Sequence, residues 1–395
     1  MKQILIWIGA LIVGTILGLL QIGAVDAAAG VVARVYVRLF QLLSVPTIVL
    51  AITTTLATLG KGDGAGRIFR HTITYTLLTT IAAAVVGLLL YLLVNPSLAP
   101  TTVIQHPATL TQEPETSFTD HLVNVIPNNI VHPLLEGNVL SLLLLAAAVG
   151  IALARMAENS RKKVLMDGLF GLQELLFTLI RALIWTLPVG IVAFSAQLSA
   201  QLSAGVAADS LGRYVAVVLG GNLLQFFVVL PLFLLARGLN PVRVLGKMMP
   251  AVLMALFTKS SAATLPVTMD SAENRLGIRQ KIARFVLPIC TTINMNGCAA
   301  FILVTSLFVM QQGGITLTFS TMLLWLAVSV VSAVGNAGVP MGCYFLTFSL
   351  MTGIGAPVEV LGLILPIYTI IDMVETAVNV WSDSCVCAMT DKDLG

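Results

Sequence analysis

The sequence predicts an all-α polytopic membrane protein, and three observations carry that expectation. Hydrophobic residues make up 57% of the chain and charged residues 10%, with a mean hydropathy of +0.98, whereas soluble domains carry about a quarter charged residues. Apolar segments of spanning length recur along the chain. After residue 240 these segments shorten and are interrupted by small polar runs, the pattern of membrane helices that break around a binding site. The net charge of +3 is too small to argue for nucleic acid, and no basic tail accompanies it.

In order, apolar segments run over about 3–22, 36–59, 70–94, 138–155, 165–200 and 212–236, then near 285–310, 318–334 and 356–382. Lys2 precedes the first. The small residues around Ala24–Ala27 resemble a leader-peptide cleavage site, but the run from Ile4 to Leu20 is long enough to span and is read as a retained helix. Lys61, Arg67 and Arg70 lie between the second and third segments, and Arg161, Lys162 and Lys163 between the fourth and fifth. Arg237, Arg243 and Lys247 follow the sixth, and Arg275, Arg279, Lys281 and Arg284 precede the seventh. Residues 95–154 hold no Lys or Arg. The positive-inside rule then puts both termini in the cytoplasm and residues 96–135 outside. His106, His121 and His132 in that external stretch are read as solvated. Cys385 and Cys387 lack a neighbouring His or second pair and are not read as a metal site. The five cysteines do not form a secreted disulfide framework.

Within the last segment, Asp372, Glu375, Thr376, Asn379 and Asp383 fall on one stripe roughly 100° wide at about 100° per helical residue. Three acids and an amide at membrane depth must face a polar site and not lipid. Two tips are candidates to meet them. Thr258, Lys259, Ser260, Ser261, Thr264 and Pro266 separate two stretches too short to span, and Gly335, Asn336, Gly338, Pro340 and Gly342 repeat the design. Broken backbone of this kind has to line a cavity or a ligand, because lipid cannot satisfy it. Between them, Thr291, Thr292, Asn294, Asn296, Gly297 and Cys298 interrupt another span, where a helix can unwind and turn carbonyls toward a cation. No nucleophile–base pair, metal cluster or phosphate loop suggests an enzyme.

These stretches together resemble the dicarboxylate/amino acid:cation symporter family, which includes the excitatory and neutral amino acid transporters. The match is carried by Tyr75–Thr80, Thr258–Pro266, Asn294–Gly297, Gly335–Pro340 and the Asp372, Thr376, Asn379 and Asp383 series, with Phe118–Pro127 similar to the family's start of the fourth segment. It covers nearly the whole chain. The resemblance implies eight transmembrane helices plus two re-entrant helical hairpins, at about 243–278 and 315–354, in an elevator-type homotrimer. Residues 1–65 and 120–205 would form the scaffold, 66–95 and 206–395 the transport domain, and 96–119 an external loop. The expected setting is the inner membrane.

By the same resemblance, Asp372 holds the substrate's α-ammonium, Thr376 and Asn379 its polar backbone groups, and Ser260, Ser261, Val339 and Gly342 its carboxylate. Cation ligands fall at Asp383, Cys290, Asn294 and Asn379 for one site, and at Thr292, Ala333, Val334 and Asn336 for a second. Thr79, Thr80, Asn294 and Asn296 match a third. Three departures bear on function. Glu375 stands where acidic-substrate members have an arginine, so it repels a second substrate carboxylate. Cys298 replaces a threonine that helps the same group. Asn296 replaces an aspartate, which weakens a site for a hard cation. The expectation is a cation-coupled symporter for small neutral amino acids such as serine or threonine, with Na+ as coupling ion, H+ as an alternative, and no organic cofactor. Acidic amino acid, C4-dicarboxylate or basic substrates remain open, as does a channel-like relative. Glu375 itself has three open readings: ionised, protonated, or paired with Lys259.

Overall fold

A computed structural model describes residues 2–59, 66–96, 126–131, 133, 139–203, 208–334, 336 and 341–394. Val339, Pro340 and residues 97–125, including most of the expected external loop, lie outside the described residues. Among the described residues the structure is helical, without strands. Helices α1 (Lys2–Leu19), α2 (Gly23–Leu59), α4 (Val139–Arg155) and α5 (Ser160–Ser203) pack on one another, α1 against α5 and α2 against both α4 and α5. α3 (Gly66–Val94) instead packs against the later helices.

α2 and α5 are longer than their apolar segments. Ala-rich sequence over residues 24–33 favours helix without being strongly apolar, so α2 starts at Gly23 and not near 36. α5 bends by 50° just ahead of Pro188, whose ring disrupts the hydrogen-bond ladder. Five helical spans among the described residues are long and apolar enough to cross a membrane, or six if the bent α5 counts as one.

The later part is built around α14 (Glu359–Leu394). α6 (Ala208–Leu224) continues through a π-helical turn, Gln225–Val229, into α7 (Leu230–Ala236). α8 (Pro241–Thr258) and α9 (Ser261–Asp270) form a helical hairpin whose second arm ends in a π-helical turn, Ser271–Leu276. α10 (Gln280–Ile293) and α11 (Asn296–Gln312) are one span broken at Asn294 and Met295. Its most apolar window is wholly buried, which is where interrupted backbone is tolerable. α12 (Phe319–Val334) and α13 (Gly342–Gly353) are the arms of a second interrupted pair. α8, α10 and α11 all pack on α14, and α11 also packs on α3 and α12.

The last turn of α14 is tied down by basic side chains from elsewhere in the chain. Arg279 Nε donates to Asp391 Oδ1 at 2.7 Å, and its Nη2 and Nη1 donate to the carbonyls of Asp391 and Leu394. Asp393 accepts from the Tyr75 hydroxyl and lies 3.4 Å from His71 Nδ1 and 3.8 Å from Arg237. Positive side chains at a helix C-terminus complement its dipole. Nearby, Arg284 binds Glu273 through both carboxylate oxygens, at 2.9 and 3.0 Å.

Candidate functional site

All five polar residues of the α14 stripe are buried by protein: Asp372 is 4% exposed, Glu375 1%, Thr376 5%, Asn379 3% and Asp383 1%. Two tips converge on the first of them. Lys259 and Met341 are both non-glycine residues in the left-handed region, at φ 54° and 61°. Such conformations are uncommon outside glycine and gather at ligand-binding positions. Each stands at the turn before its hairpin's second arm, and each reaches Asp372. The Met341 amide donates to Asp372 Oδ2 at 3.3 Å, and Lys259 Nζ lies 3.9 Å from the same oxygen. Lys259 therefore faces Asp372, and the pairing with Glu375 left open by the sequence is not the one formed.

The hairpin-one tip caps itself. Ser260 is the N-cap of α9 and accepts from the Ala263 amide at 3.2 Å, satisfying one of the orphan N–H groups of the first turn. Thr264 Oγ1 donates to the Ser260 carbonyl at 2.8 Å and sits 3.0 Å from Thr258 Oγ1. Ser261 is buried beside it. These hydroxyls and the adjoining helix N-terminus are chemistry suited to a carboxylate.

Glu375 lies one helical turn along from Asp372. Its Oε2 accepts from the Tyr368 hydroxyl at 3.3 Å, and its Oε1 has no hydrogen-bond partner among the described residues. Thr376 donates to the Asp372 carbonyl within α14. Asn379 bridges to the broken span: its Oδ1 accepts from the Gly297 amide at 2.9 Å and its Nδ2 donates to Cys298 Sγ at 3.2 Å. Gly297 permits this approach, since a Cβ there would lie 2.9 Å from the Glu375 Cα and carbonyl oxygen and 2.8 Å from Asn222 Oδ1. Gly342 is constrained in the same way, because a Cβ would overlap Asn336 Oδ1.

Cys298 is joined by a disulfide to Cys343, with Cα atoms 5.5 Å apart. Sequence spacing held no sign of this pairing. The two residues are 45 apart and meet only because the start of α11 faces the start of α13. Asn336 Nδ2 donates to both sulfurs, at 3.1 and 3.3 Å.

A second polar cluster lies deeper, where α3, α6, the broken span and α14 meet. Asn294 Nδ2 donates to Asp383 Oδ1 at 2.8 Å and to Ser382 Oγ at 2.9 Å. Asn294 Oδ1 accepts from Thr79 Oγ1 at 3.2 Å and from Asn296 Nδ2 at 3.0 Å. The Asn296 amide also donates to Thr79 Oγ1 and Thr80 Oγ1, at 3.3 and 3.4 Å. Gln225, the first residue of the π-helical turn, donates to Asn296 Oδ1 at 2.7 Å and to the Thr79 carbonyl at 3.1 Å.

Of the other expected cation ligands, Cys290 adjoins this network through its carbonyl, and the rest are bonded locally. The Cys290 carbonyl accepts from the Asn294 amide, Thr292 Oγ1 donates to the Ile289 carbonyl, and the Ala333 carbonyl accepts from the Asn336 amide. Val334 closes α12 nearby.

Gln225, Asn222, Ser382 and Tyr368 were missed by the sequence reading. Asn222 and Gln225, three apart in an otherwise apolar span, were the available signal for the first two, and π-helical turns often mark functional positions. Ser382 adjoins Asp383 on the polar helix, but its neighbour's charge dominates any reading of that turn.

A family model described as the sodium:dicarboxylate symporter family matches residues 2–393. The chain belongs to that family. Among relatives, the neutral amino acid transporter B(0) of Oryctolagus cuniculus is 29% identical, covering 96% of this chain and 78% of its own length. Excitatory amino acid transporter 1 of Ambystoma tigrinum is 25% identical over 88% and 74% of the two chains, and excitatory amino acid transporter 2 of Homo sapiens 27% over 89% and 70%. Membership makes this a multi-pass membrane transporter and implies sodium as its coupling ion. Family members are transporters and not enzymes.

Proposed function

We propose that the protein is a sodium-coupled symporter that imports small neutral amino acids, serine or threonine, by an elevator mechanism. The observation that carries the substrate class is the division of charge around α14. Lys259 is paired with Asp372, while Glu375, 1% exposed, faces the Tyr368 hydroxyl. Among the described residues, Lys162 is the other buried Lys or Arg, and it contacts the carbonyls of Ala154 and Met156 on α4 and the turn after it. A substrate side-chain carboxylate would therefore be buried beside another carboxyl group with no cation to offset it, and burying an unpaired charge is costly whichever protonation state Glu375 takes. A neutral hydroxyl side chain meets no such penalty, and Asn379 and Glu375 offer it a donor and an acceptor.

In this reading Asp372 receives the substrate ammonium while Lys259 keeps its pairing with Oδ2. The Ser260 and Ser261 hydroxyls, with the backbone around Val339 and Gly342, receive its carboxylate, while Thr376 and Asn379 meet its polar backbone groups. Cys298 borders the side-chain end. Asp383, with carbonyls of Cys290, Asn294 and Asn379, takes one sodium ion. Carbonyls at Thr292, Ala333, Val334 and Asn336 take a second. A third is disfavoured because the Asn296 amide group already donates to the Thr79, Thr80 and Asn294 oxygens that would have to bind it. The coupling number is then two.

The mutual packing of α1, α2, α4 and α5, with the site assembled among α3 and the helices after residue 208, supports a division into scaffold (1–65 and 120–205) and moving domain (66–95 and 206–395). The proposed assembly is a homotrimer in the inner membrane, with both termini in the cytoplasm. A basic substrate is the second reading, supported by the unpartnered Glu375 Oε1. A thermal-shift panel of amino acids in sodium or choline separates them. Sodium-dependent stabilisation by serine and not by aspartate or lysine is expected. Stabilisation by aspartate would overturn the role given to Glu375, and stabilisation by lysine alone would favour the second reading.

A further inference from the structure

We propose that Cys298, Cys343 and Glu375 form a binding site for one thiophilic divalent cation, of the Zn2+ and Cd2+ class, once the Cys298–Cys343 disulfide is reduced. The placement inside the amino acid cavity rests on the function proposed above, whereas the metal site itself does not.

Three observations carry it. One potential ligand atom from each of these three side chains lies within 4.8 Å of the other two, and all three residues are buried. They come from three helix segments, α11, α13 and α14, each held by packing, so the donors converge without a mobile loop. The Glu375 Oε1 atom has no hydrogen-bond partner among the described residues, and a buried carboxylate oxygen without a partner is costly. A cation removes that cost. Around the sulfurs, Asn336 and Asn379 donate amide N–H groups at 3.1 to 3.3 Å. Such outer-shell donors orient thiolate ligands and stabilise their charge.

The donor set decides the ion. Two sulfurs and one carboxylate suit a borderline or soft divalent cation in tetrahedral geometry with one position open, and they do not suit Na+. Zn–S bonds of about 2.3 Å place two thiolates roughly 3.8 Å apart in a tetrahedron. Reduction frees the sulfurs to separate to that distance by side-chain rotation. A water-soluble phosphine and one water convert the disulfide to two thiols and the phosphine oxide, and cation binding then releases two protons as both sulfurs bind as thiolates. The bound ion would coordinate Glu375, its two charges balanced by the two thiolates, and occupy the side-chain end of the amino acid cavity, so metal and amino acid exclude each other.

The test titrates purified protein with cadmium chloride by calorimetry while following the ultraviolet cadmium–thiolate charge-transfer band, with and without prior phosphine reduction. One cadmium per reduced chain, with the band, is expected, and none for the oxidised protein, which controls for folding because the polypeptide is the same. Cys343→Ser should roughly halve the band per bound cadmium and weaken binding by more than roughly a hundredfold, since even outer-shell partners contribute ten- to hundredfold. Glu375→Gln should keep the band and bind at least roughly tenfold more weakly. Cadmium binding without reduction, undiminished binding in Cys343→Ser, or no band in the reduced chain would each overturn the site. In the same samples cadmium should abolish stabilisation by serine. Stoichiometric cadmium with an intact serine response would overturn its placement in the cavity. A protein that never responds to serine contradicts the proposed function, and the cadmium stoichiometry still decides the metal site.

Discussion

Replacing Asp372 with asparagine tests the centre of the site, because it keeps shape and an acceptor for the Met341 amide while removing the charge. The Lys259 ammonium lies 3.9 Å from Asp372 Oδ2, a usable gauge for a substrate ammonium at the same carboxylate. At an effective dielectric of about 20, two unit charges at that distance attract by about 4 kcal/mol, which corresponds to about a thousandfold in affinity. Asp372→Asn should therefore weaken serine binding about a thousandfold in titration calorimetry with saturating sodium. The variant also takes a charge partner from the buried Lys259 ammonium, and removing one member of a buried ion pair destabilises. The double variant Lys259→Met with Asp372→Asn should recover thermal stability without recovering binding. Wild-type affinity for serine in either variant would refute the role given to this carboxylate.

Three further outcomes follow from the same geometry. Glu375→Arg should admit aspartate and suppress serine uptake, read by competition against labelled serine, and unchanged exclusion of aspartate would remove Glu375 from substrate choice. Asn296→Asp takes away an amide donor and adds a charge beside Thr79, Thr80 and Asn294. It should raise the sodium-to-serine flux ratio from two toward three, and a wild-type ratio of three would contradict the account of this cluster. The Glu273 carboxyl is held below its ordinary value of 4.5 chiefly by hydrogen bonds from Arg284. A depressed folded value contributes stability above the ordinary value that is lost as pH falls through the folded one, so Glu273→Gln should flatten the fall in Tm below pH 4.5.

The burial of the α14 stripe was legible because a helix's periodicity shows which residues share a face, and acids at membrane depth leave one place for that face to point. The breaks between α8 and α9, within the α10–α11 span and between α12 and α13 were legible for a related reason, since glycine, proline and polar groups inside apolar runs must break helices. Family membership followed from the order of those motifs. What stayed hidden depends on three dimensions. The meeting of Lys259 and Met341 at Asp372 joins two tips some eighty residues apart in sequence with a third segment, and no local pattern encodes it. Cys298 and Cys343 pair for the same reason. Gln225 reaches Asn296 from a π-helical turn, which shifts the register that a 3.6-residue period would assign it. The early start of α2 escaped because its first turns are helical by alanine content and not by an apolar stripe.

The central claim, that the α14 stripe couples sodium to uptake of a small neutral amino acid, is tested most directly by labelled serine in proteoliposomes carrying an inward sodium gradient. Serine should accumulate above its external concentration, collapse when choline replaces sodium, and be undisturbed by excess aspartate. Accumulation that ignores sodium, or serine uptake displaced by aspartate, would contradict it.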